Sequence, residues 1–344
     1  MTSVATLPEP LATVAPPKGR HGSVAWIIWL ARRLGLAVLT LWLVSILVFF
    51  ATAALGDPVR AILGKDFAAQ PARVARLRAD LQLDDPLVVR YFRWLGGLLT
   101  GDPGRSIANS RPVADLISGP VLNSLVLVLL SAAVMIPVAF GVAMVSANFR
   151  RKRGDSIIQT IVLTLAGLPD FVIGILLVAL FSTTVFQILP AVTISRRGGH
   201  PWDNPAVMVL PVATLVLSVA PYVSRIVRST LLEVLDSDYV ELARLKGIPE
   251  SVVMRKHALL NAVVPGIQVI ALQLAWLAGG VVLVEYLFAY PGVGALLVDS
   301  VRNHDVPMVQ ALSMIIAAVY VGVNLFADLL SILLTPRART AISS

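Results

Sequence analysis

The chain has 344 residues, of which 57% are hydrophobic and 14% are charged, and it contains no cysteine. A soluble domain carries about 25% charged residues, so this composition excludes an ordinary soluble protein and predicts one that crosses a membrane several times. Without cysteine, disulfides and thiolate metal sites are excluded as well. The formal net charge of +8 follows the membrane topology described below, so we predict no nucleic-acid partner.

Six stretches are long and apolar enough to cross a membrane, since a spanning helix needs about 20 apolar residues. They are residues 34–55, 120–149, 157–189, 205–224, 258–284 and 306–327. The third has 33 residues, too few for two spans and a turn, and predicts one long helix with Pro169 as the candidate kink. The sequence therefore predicts an all-α polytopic membrane protein with six transmembrane helices.

The spans divide the chain into regions. Residues 1–25 are rich in proline and predict a disordered tail rather than a cleaved signal peptide, because the apolar run from Leu34 is longer than a signal core. The expected regions after the tail are a first transmembrane helix over 26–55, a long loop region over 56–119, a five-helix core over 120–335 and a short tail over 336–344.

Lys and Arg are distributed unevenly between the two sides that six spans create. Fourteen flank the spans on the side of both termini, against three in the short loops of the other side. Because short cytoplasmic loops retain Lys and Arg, this bias predicts cytoplasmic termini and an extracytoplasmic region over 56–119. The fourteen are Arg32, Arg33, Arg150, Arg151, Lys152, Arg153, Arg225, Arg228, Arg244, Lys246, Arg255, Lys256, Arg337 and Arg339, and the three are Arg196, Arg197 and Arg302.

The extracytoplasmic region has a pattern of its own. After Pro71, apolar residues recur at helical spacing and predict a short amphipathic helix. Turns are predicted at 83–86 and 101–104, which are rich in Asp, Pro and Gly. Between them, an apolar and aromatic patch around Trp94 predicts a segment that lies at the membrane surface.

A polar segment, 238–265, interrupts the apolar sequence between the fourth and fifth spans. It predicts a helix, a chain reversal at Gly247 and Pro249, and a second helix. Glu241 suits the positive end of the first helix dipole, and Ala243 is small enough to admit another surface. Two helices on a stiff hinge can transmit rigid-body motion from a cytoplasmic motor, and an amphipathic loop without a partner is the alternative. The candidate coupling residues, in a loop over 226–262, are Asp238, Tyr239, Glu241, Ala243, Arg244, Lys246, Gly247, Arg255 and His257.

This segment resembles the EAA coupling loop of ABC-importer membrane subunits, whose core is Glu-Ala-Ala, three residues and then Gly. Here Glu241, Ala243 and Gly247 keep that spacing, and Leu242 replaces the middle Ala. The surroundings resemble the DppB/OppB-type permeases of dipeptide, oligopeptide and nickel importers.

The resemblance to the DppB/OppB type covers roughly residues 30–339. Two departures lie in the extracytoplasmic region, where Gln82 replaces a usual Gly and Pro103 a usual Leu. The similar stretches are Arg32-Arg33-Leu34, Gly56-Asp57-Pro58, Leu83-Asp84-Asp85-Pro86, Tyr91, Trp94-Leu95, Gly101 to Ser106, Asp238-Tyr239-Val240, Ala243 to Gly247, Lys256 to Leu259, Asn261-Ala262, Pro265, Glu285 to Gly294, Asp328 and Pro336-Arg337.

The resemblance implies the ABC type I importer permease (MetI-like) fold, in a bacterial cytoplasmic (inner) membrane. It also implies a set of partners: a second homologous permease of the DppC/OppC type, one or two ABC ATPase subunits, an extracytoplasmic substrate-binding protein and membrane lipid. In such permeases the coupling helices sit in a groove of the ATPase. The region 56–119 is our candidate for part of the docking surface of the binding protein.

The resemblance implies a di- or oligopeptide as substrate, with nickel or glutathione as the alternatives. A rival from another class is an ion-coupled secondary transporter, which would work alone. Such a transporter typically shows internal repeats and several ionisable groups at the midplane, and the sequence shows no convincing repeat.

The chain shows no catalytic pattern. It lacks a Gly-x4-Gly-Lys-Ser/Thr phosphate loop, so ATP and Mg are expected on a partner ATPase and no cofactor is expected here. Its four histidines have no metal-ligand spacing, so we predict no metal site and a non-catalytic subunit.

Ionisable groups in or near spans are candidate pathway or gate residues. Three qualify: Asp170, Glu285 and Asp328. For two of them, a purely structural role is the alternative. Asp328 is near the predicted cytoplasmic end and can meet water or Arg337, and Glu285 can order the turn that follows it.

Overall fold

The structure is a computed structural model that describes residues 22–54, 59, 71–80, 82–194, 199–254 and 259–334. These residues contain no β-strand, and their helices of eight residues or more are eleven in number. They are α1 (Gly22–Ala54), α2 (Pro71–Asp80), α3 (Leu87–Leu99), α4 (Val113–Asn148), α5 (Arg153–Gly167), α6 (Asp170–Val178), α7 (Ala206–Leu235), α8 (Asp238–Leu245), α9 (Leu259–Leu287), α10 (Val293–Arg302) and α11 (Val306–Leu334).

Four of these helices, α1, α4, α7 and α11, are each long and apolar enough to cross a membrane. Two further crossings are bent. The axes of α5 and α6 differ by 107°, and α9 bends by 58° between Gly266–Leu274 and Gly279–Leu287. With each bent pair counted as one span, the described helices match the six predicted spans in order, and the all-α polytopic fold is confirmed.

The first span begins earlier than predicted. Helix α1 starts at Gly22, inside the segment that we expected to be tail, because residues 22–33 contain no proline and include four large apolar residues from Trp26 to Trp29. Residues 1–21 and 335–344, which hold the rest of the predicted tails, lie outside the described residues.

The third span differs from the single long helix that we predicted. Leu168 is extended (φ −88°, ψ 135°) and so is Pro169 (φ −62°, ψ 145°), so α5 ends before them and α6 begins after them. Proline lacks an N–H and its ring disfavours the helical conformation of the preceding residue, which turns the expected kink into a complete break. Helix α6 then widens into a π-turn over Ala179–Thr183, short of the predicted end of the span.

Helix α7 forms the centre of the bundle. In its most apolar stretch 67% of the residues are buried, against 17% for α1, which lies at the periphery. Helices α4 and α9 pack along α7 and share its core, with Leu127 and Met135 on α4 and Leu277 on α9 fully buried. The central position of α7 matters because its end leads directly into the predicted coupling segment.

The two ends of the bundle are identified by contacts between α1 and α11, which are antiparallel. At one end Arg33 of α1 forms an ion pair with Asp328 of α11. At the other end the Gln310 side chain donates a 2.8 Å hydrogen bond to the Thr52 hydroxyl. We call the side that holds the start of α1 and the end of α11 the terminal face, and the opposite side the distal face.

The segment between the first two spans lies against the distal half of the bundle. Helix α2 matches the helix predicted after Pro71. The hydroxyls of Tyr91 on α3 and Ser45 on α1 are 2.8 Å apart, and the Tyr91 ring meets the Phe49 ring edge-on at 5.4 Å between centroids. Phe92 on the other side of α3 is 62% exposed, so this helix keeps an apolar face open, as a segment at a membrane surface requires.

Candidate coupling and translocation site

The predicted coupling segment forms a compact helical projection on the terminal face. Helix α7 ends at Leu235, α8 follows after a two-residue turn, and a helical turn over Glu250–Val252 comes next. Helix α8 packs Val240 and Ala243 against the core and exposes Leu242 and Leu245, which are 56% and 78% accessible. Exposed apolar side chains on a short projecting helix are typical of a protein-docking surface.

The side chain of Ala243 points in the opposite direction from the one we expected. It is 7% exposed and faces its own core rather than an external surface. The exposed candidates on the projection are Asp238, Tyr239, Glu241, Lys246 and Gly247. The remaining candidates, Arg255 and His257, lie outside the described residues.

Gly247 is the pivot of the projection. Its φ is +76°, the left-handed region that glycine adopts without cost, and no atom lies within 4 Å of the point where a Cβ would stand. The constraint on this position is therefore the backbone conformation and not the available space.

Arg244 ties the parts of the projection together. Its guanidinium donates to both carboxylate oxygens of Glu250, at 3.0 and 2.7 Å, and to the Leu235 carbonyl at 3.2 Å. These contacts join the end of α7, helix α8 and the turn beyond Gly247. The hydrogen bonds between the two side chains raise the pKa of Arg244 and lower the pKa of Glu250. Arg244 therefore acts within the projection, a role that its place in the motif did not reveal.

Glu285, a candidate gate residue, binds the start of helix α10. Its carboxylate is fully buried and accepts hydrogen bonds from the Gly294 N–H at 2.6 Å and from the Ser124 hydroxyl at 2.5 Å. The Ser124 oxygen in turn accepts from the Val293 N–H at 2.8 Å. The first N–H groups of a helix have no hydrogen-bond acceptor within the helix. Glu285 and Ser124 provide acceptors for two of these groups in α10. Of the two roles considered for Glu285, the structure supports the ordering of the turn.

The turn between α9 and α10 is held by a second set of bonds on the distal face. The Tyr290 hydroxyl donates to the Asn123 carbonyl at 2.9 Å, and the Asn123 side chain donates to the Pro291 carbonyl at 2.8 Å. Burial raises the pKa of the Tyr290 phenol, so it remains a hydrogen-bond donor at any physiological pH. Together with the bonds of Glu285, these contacts join α4, the end of α9 and the start of α10.

Asp328, the third ionisable candidate, pairs with Arg33. Arg337, the partner expected from the sequence, lies outside the described residues. The pair borders a groove of about 300 Å³ between α1 and α11 on the terminal half. Its position at the peripheral helix α1 separates it from α7. The structure thus gives Asp328 a role in holding two helices together.

Asp170 lies at the break within the third span. It begins α6, directly after the break at Pro169, and its carboxylate lies near Ser218 on α7, whose hydroxyl donates to the Thr214 carbonyl at 2.8 Å. Among the described residues, none of the ion pairs involves Asp170. A carboxylate without a cationic partner inside a span is a functional candidate.

Two polar clusters were not predicted. On the terminal face, Arg228 of α7 contacts Asp155 of α5 at 2.5 Å and Ser146 of α4 at 2.9 Å. On the distal face, Asp305 accepts hydrogen bonds from the Ser106 hydroxyl and, at 3.0 Å, from the Ile107 N–H. The partners are 82 and 199 residues apart in sequence, so local patterns carry no signal for these pairings.

Comparison with known proteins agrees with this geometry. Residues 135–340 match the family of binding-protein-dependent transport system inner membrane components, and residues 26–115 match the N-terminal region of such components. The chain belongs to this family. The permease therefore is a multi-pass inner-membrane protein of the ABC-importer class, as the DppB/OppB resemblance implied.

Similar curated permeases cover almost the whole chain. The glutathione transport system permease protein GsiC of Salmonella paratyphi A is 37% identical over 313 residues, which span 90% of this chain and 98% of the relative. The protein of the same name from Escherichia coli is 35% identical over 309 residues, which span 90% of this chain and 97% of the relative. The similarity thus extends from the first span to the last and includes the coupling projection.

Proposed function

We propose that this chain is the transmembrane permease subunit of an ATP-driven importer for glutathione or a closely similar small peptide. The observation that supports this substrate class is the similarity to GsiC permeases over 90% of the chain. The sequence analysis gave glutathione as an alternative to its main prediction of a di- or oligopeptide, and the similarity to GsiC favours that alternative. A di- or oligopeptide importer is the second candidate, because the same motifs occur in those permeases.

The coupling projection supports ATP-driven transport. It follows α7, the most buried of the four unbroken spans, and Arg244 links it to the end of α7 by a hydrogen bond. A displacement of α8 would therefore be transmitted to the central helix of the bundle. Its exposed Leu242 and Leu245 suit a hydrophobic groove on an ATPase subunit. In this proposal the terminal face is cytoplasmic, as the Lys and Arg bias predicts.

The proposal requires partners. A second permease of the same family would complete the pathway, two ATPase domains would sit on the terminal face, and an extracytoplasmic binding protein would deliver substrate. The segment with α2 and α3 on the distal face is our candidate for part of the docking surface of that binding protein. Removal of residues 71–83 is expected to weaken the stimulation of ATP hydrolysis by the binding protein, and full stimulation would exclude this role.

The substrate is tested on the complex purified through a tag on this chain from its native membrane. The complex is placed in proteoliposomes with its binding protein, and ATP-dependent uptake of radiolabelled glutathione is measured. We expect saturable uptake that excess unlabelled glutathione suppresses and an unrelated dipeptide does not. Uptake of dipeptides alone would favour the second candidate, and transport by the isolated chain under an ion gradient would favour a secondary transporter.

Gly247 provides the test of ATP coupling. Replacement Gly247→Val forces a β-branched residue into φ +76° and is expected to abolish ATP-driven uptake while the chain stays in the membrane. Gly247→Asn is the matched control, since Asn tolerates the left-handed region, and should retain most of the uptake. Equal uptake by the two variants would show that the pivot is not needed for coupling.

A further inference from the structure

One strip of the central helix α7 is polar and uncovered. From Ala206 to Leu217 the helix is largely buried, but beyond that point four residues on one side are accessible or partly accessible. Their spacing of four, three and four residues places them along a single face. They are Ser218, Tyr222, Arg225 and Ser229, and we call them the polar strip.

The break at Pro169 uncovers this strip. Helix α6 packs closely on α7 at Gly174. A Cβ added to Gly174 would lie 3.4 Å from the methyl group of Thr214 on α7. Thr214 lies one turn before Ser218 on nearly the same side of α7. Because α5 leaves at 107° from α6, the covering helix ends at Asp170 and the strip beyond Ser218 stays open.

Asp170 stands at the head of the strip, beside an aromatic ring. Its Oδ2 atom is 3.6 Å from the point where a Cβ on Gly280 would stand, and two ring carbons of Trp276 are 3.4 and 3.5 Å from the same point. The Trp276 side chain is 42% exposed, and Ser218 lies near the Asp170 carboxylate. A carboxylate, a hydroxyl and an indole therefore surround a small space left by Gly280.

This combination favours an ammonium group. A carboxylate attracts a cation by charge, and an indole face attracts one through its quadrupole. A charged strip in a span faces a water-filled cavity or a protein partner and not lipid. Ser218 and Arg225 are seven residues apart, or about 10 Å along the helix. An extended tripeptide spans about the same length, so an ammonium at Asp170 brings the opposite carboxylate of a short peptide to Arg225.

We propose that Asp170, Ser218 and Trp276 form a transit site for the substrate ammonium group and that the polar strip lines the translocation pathway. The proposal rests on the proposed function, import of a small peptide. A purely structural role competes with it, since an acidic residue in the first turn of α6 is stabilised by the helix dipole. The experiment must therefore measure a property that capping of α6 does not change.

Accessibility is measured first, and the absence of natural cysteines makes this direct. Tyr222→Cys and, as a matched control, the fully buried neighbour Val223→Cys are introduced separately into the complex in nanodiscs without nucleotide. A water-soluble methanethiosulfonate is added, and labelling of this chain is read by mass spectrometry. We expect rapid labelling at position 222 and none at 223, and an unreactive position 222 would overturn the pathway assignment.

Recognition of the amine is measured next, on the Tyr222→Cys complex without binding protein. S-methylglutathione, whose thiol cannot react, is expected at millimolar concentration to slow the labelling, and its N-acetyl derivative is expected not to. Adding Gly280→Ala fills the space beside Asp170 with ordinary contacts and should raise the protecting concentration about tenfold or more. The matched control Gly279→Ala, where a Cβ meets no atom within 4 Å, should leave it unchanged.

Asp170→Asn gives a second measurement, because it removes the carboxylate charge and keeps the size and hydrogen-bonding groups of the side chain. It should raise the protecting concentration as Gly280→Ala does. Equal protection by the free and acetylated ligands, no protection by either, or no effect of both variants would overturn the transit site. Failure of the proposed function would appear separately, as absent ATP-driven uptake of glutathione by the unmodified complex.

Discussion

Glu285 and the two glycines after it show how single residues determine this structure. A Cβ on Gly292 would stand 2.2 Å from the Glu285 carboxylate, and one on Gly294 would stand 2.4 Å from the Val282 backbone. The glycines leave room for the buried carboxylate to reach the first N–H groups of α10. A buried carboxylate is tolerated here because it accepts several hydrogen bonds.

Gly294→Ala tests this arrangement at the level of one methyl group. The new Cβ would collide with backbone atoms of α9, which cannot rotate away, so we expect a loss of about 2–3 kcal/mol in stability and a lower thermal midpoint in detergent. Gly322→Ala in α11 is the control, since no atom lies within 4 Å of its Cβ position. Its midpoint should stay the same or rise, because Ala favours a helix over Gly by about 1 kcal/mol. A similar midpoint for both variants would contradict the tight contact at Gly294.

At the scale of helices, the junction of α4, α5 and α7 on the terminal face sets the geometry of the bent third span. Arg228 and Asp155 are 20% and 14% exposed, and the Ser146 hydroxyl joins them by hydrogen bonds to both. This cluster anchors the start of helix α5, and the helix ends at the break before Pro169. The anchor holds the start of α5 against the end of α7, next to the last residues of the polar strip described above.

Asp155→Asn removes the charge of the anchor and keeps its shape. The guanidinium of Arg228 then lacks a carboxylate in a largely buried place, and we expect a loss of about 2 kcal/mol in stability. Combining it with Arg228→Met should cost less than the sum of the two single changes, as the thermal midpoints of all four proteins would show. Additive losses would mean that the two side chains act independently.

At the scale of the whole molecule, the segment between the first two spans forms a layer on the distal face that contacts the bundle at a few points. Asp305, 3% exposed, holds the loop that contains Ile107, while Tyr91 and Gln310 fasten α3 and α11 to α1. A cavity of about 770 Å³ remains between this layer and the bundle, lined by residues that include Arg90 and Trp94.

Asp305→Ala is expected to loosen this layer locally. The amides of Ile107 and Ala108 lose their acceptor, and their hydrogen exchange should rise by about tenfold or more, with the bundle unaffected. Asp102→Ala is the control, because the exposed Asp102 carboxylate accepts from the Gly104 N–H within its own turn. Unchanged exchange at Ile107 would show that other contacts hold the loop.

The number and order of the spans could be predicted from the sequence, because the thickness of the bilayer sets the length of apolar segment that a span needs. That length can be counted along the sequence without knowledge of the fold. The helix, the pivot and the exposed face of the coupling segment were likewise predictable, since Gly247 and Pro249 act on their own backbone. The orientation of Ala243 was not, because a single small residue fits either an external surface or the core.

The partners of charged residues depended on the folded chain. Asp328 pairs with Arg33 across 295 residues, Glu285 reaches Ser124 across 161, and no periodicity relates these positions. The sharp bend at Pro169 was foreseen only as a kink, because its angle depends on the anchors of α5. The length of an apolar segment and the conformation of a Gly or Pro backbone depend on neighbouring residues in the sequence. The pairing of charges and the exposed polar strip of α7 depend on how distant helices pack together.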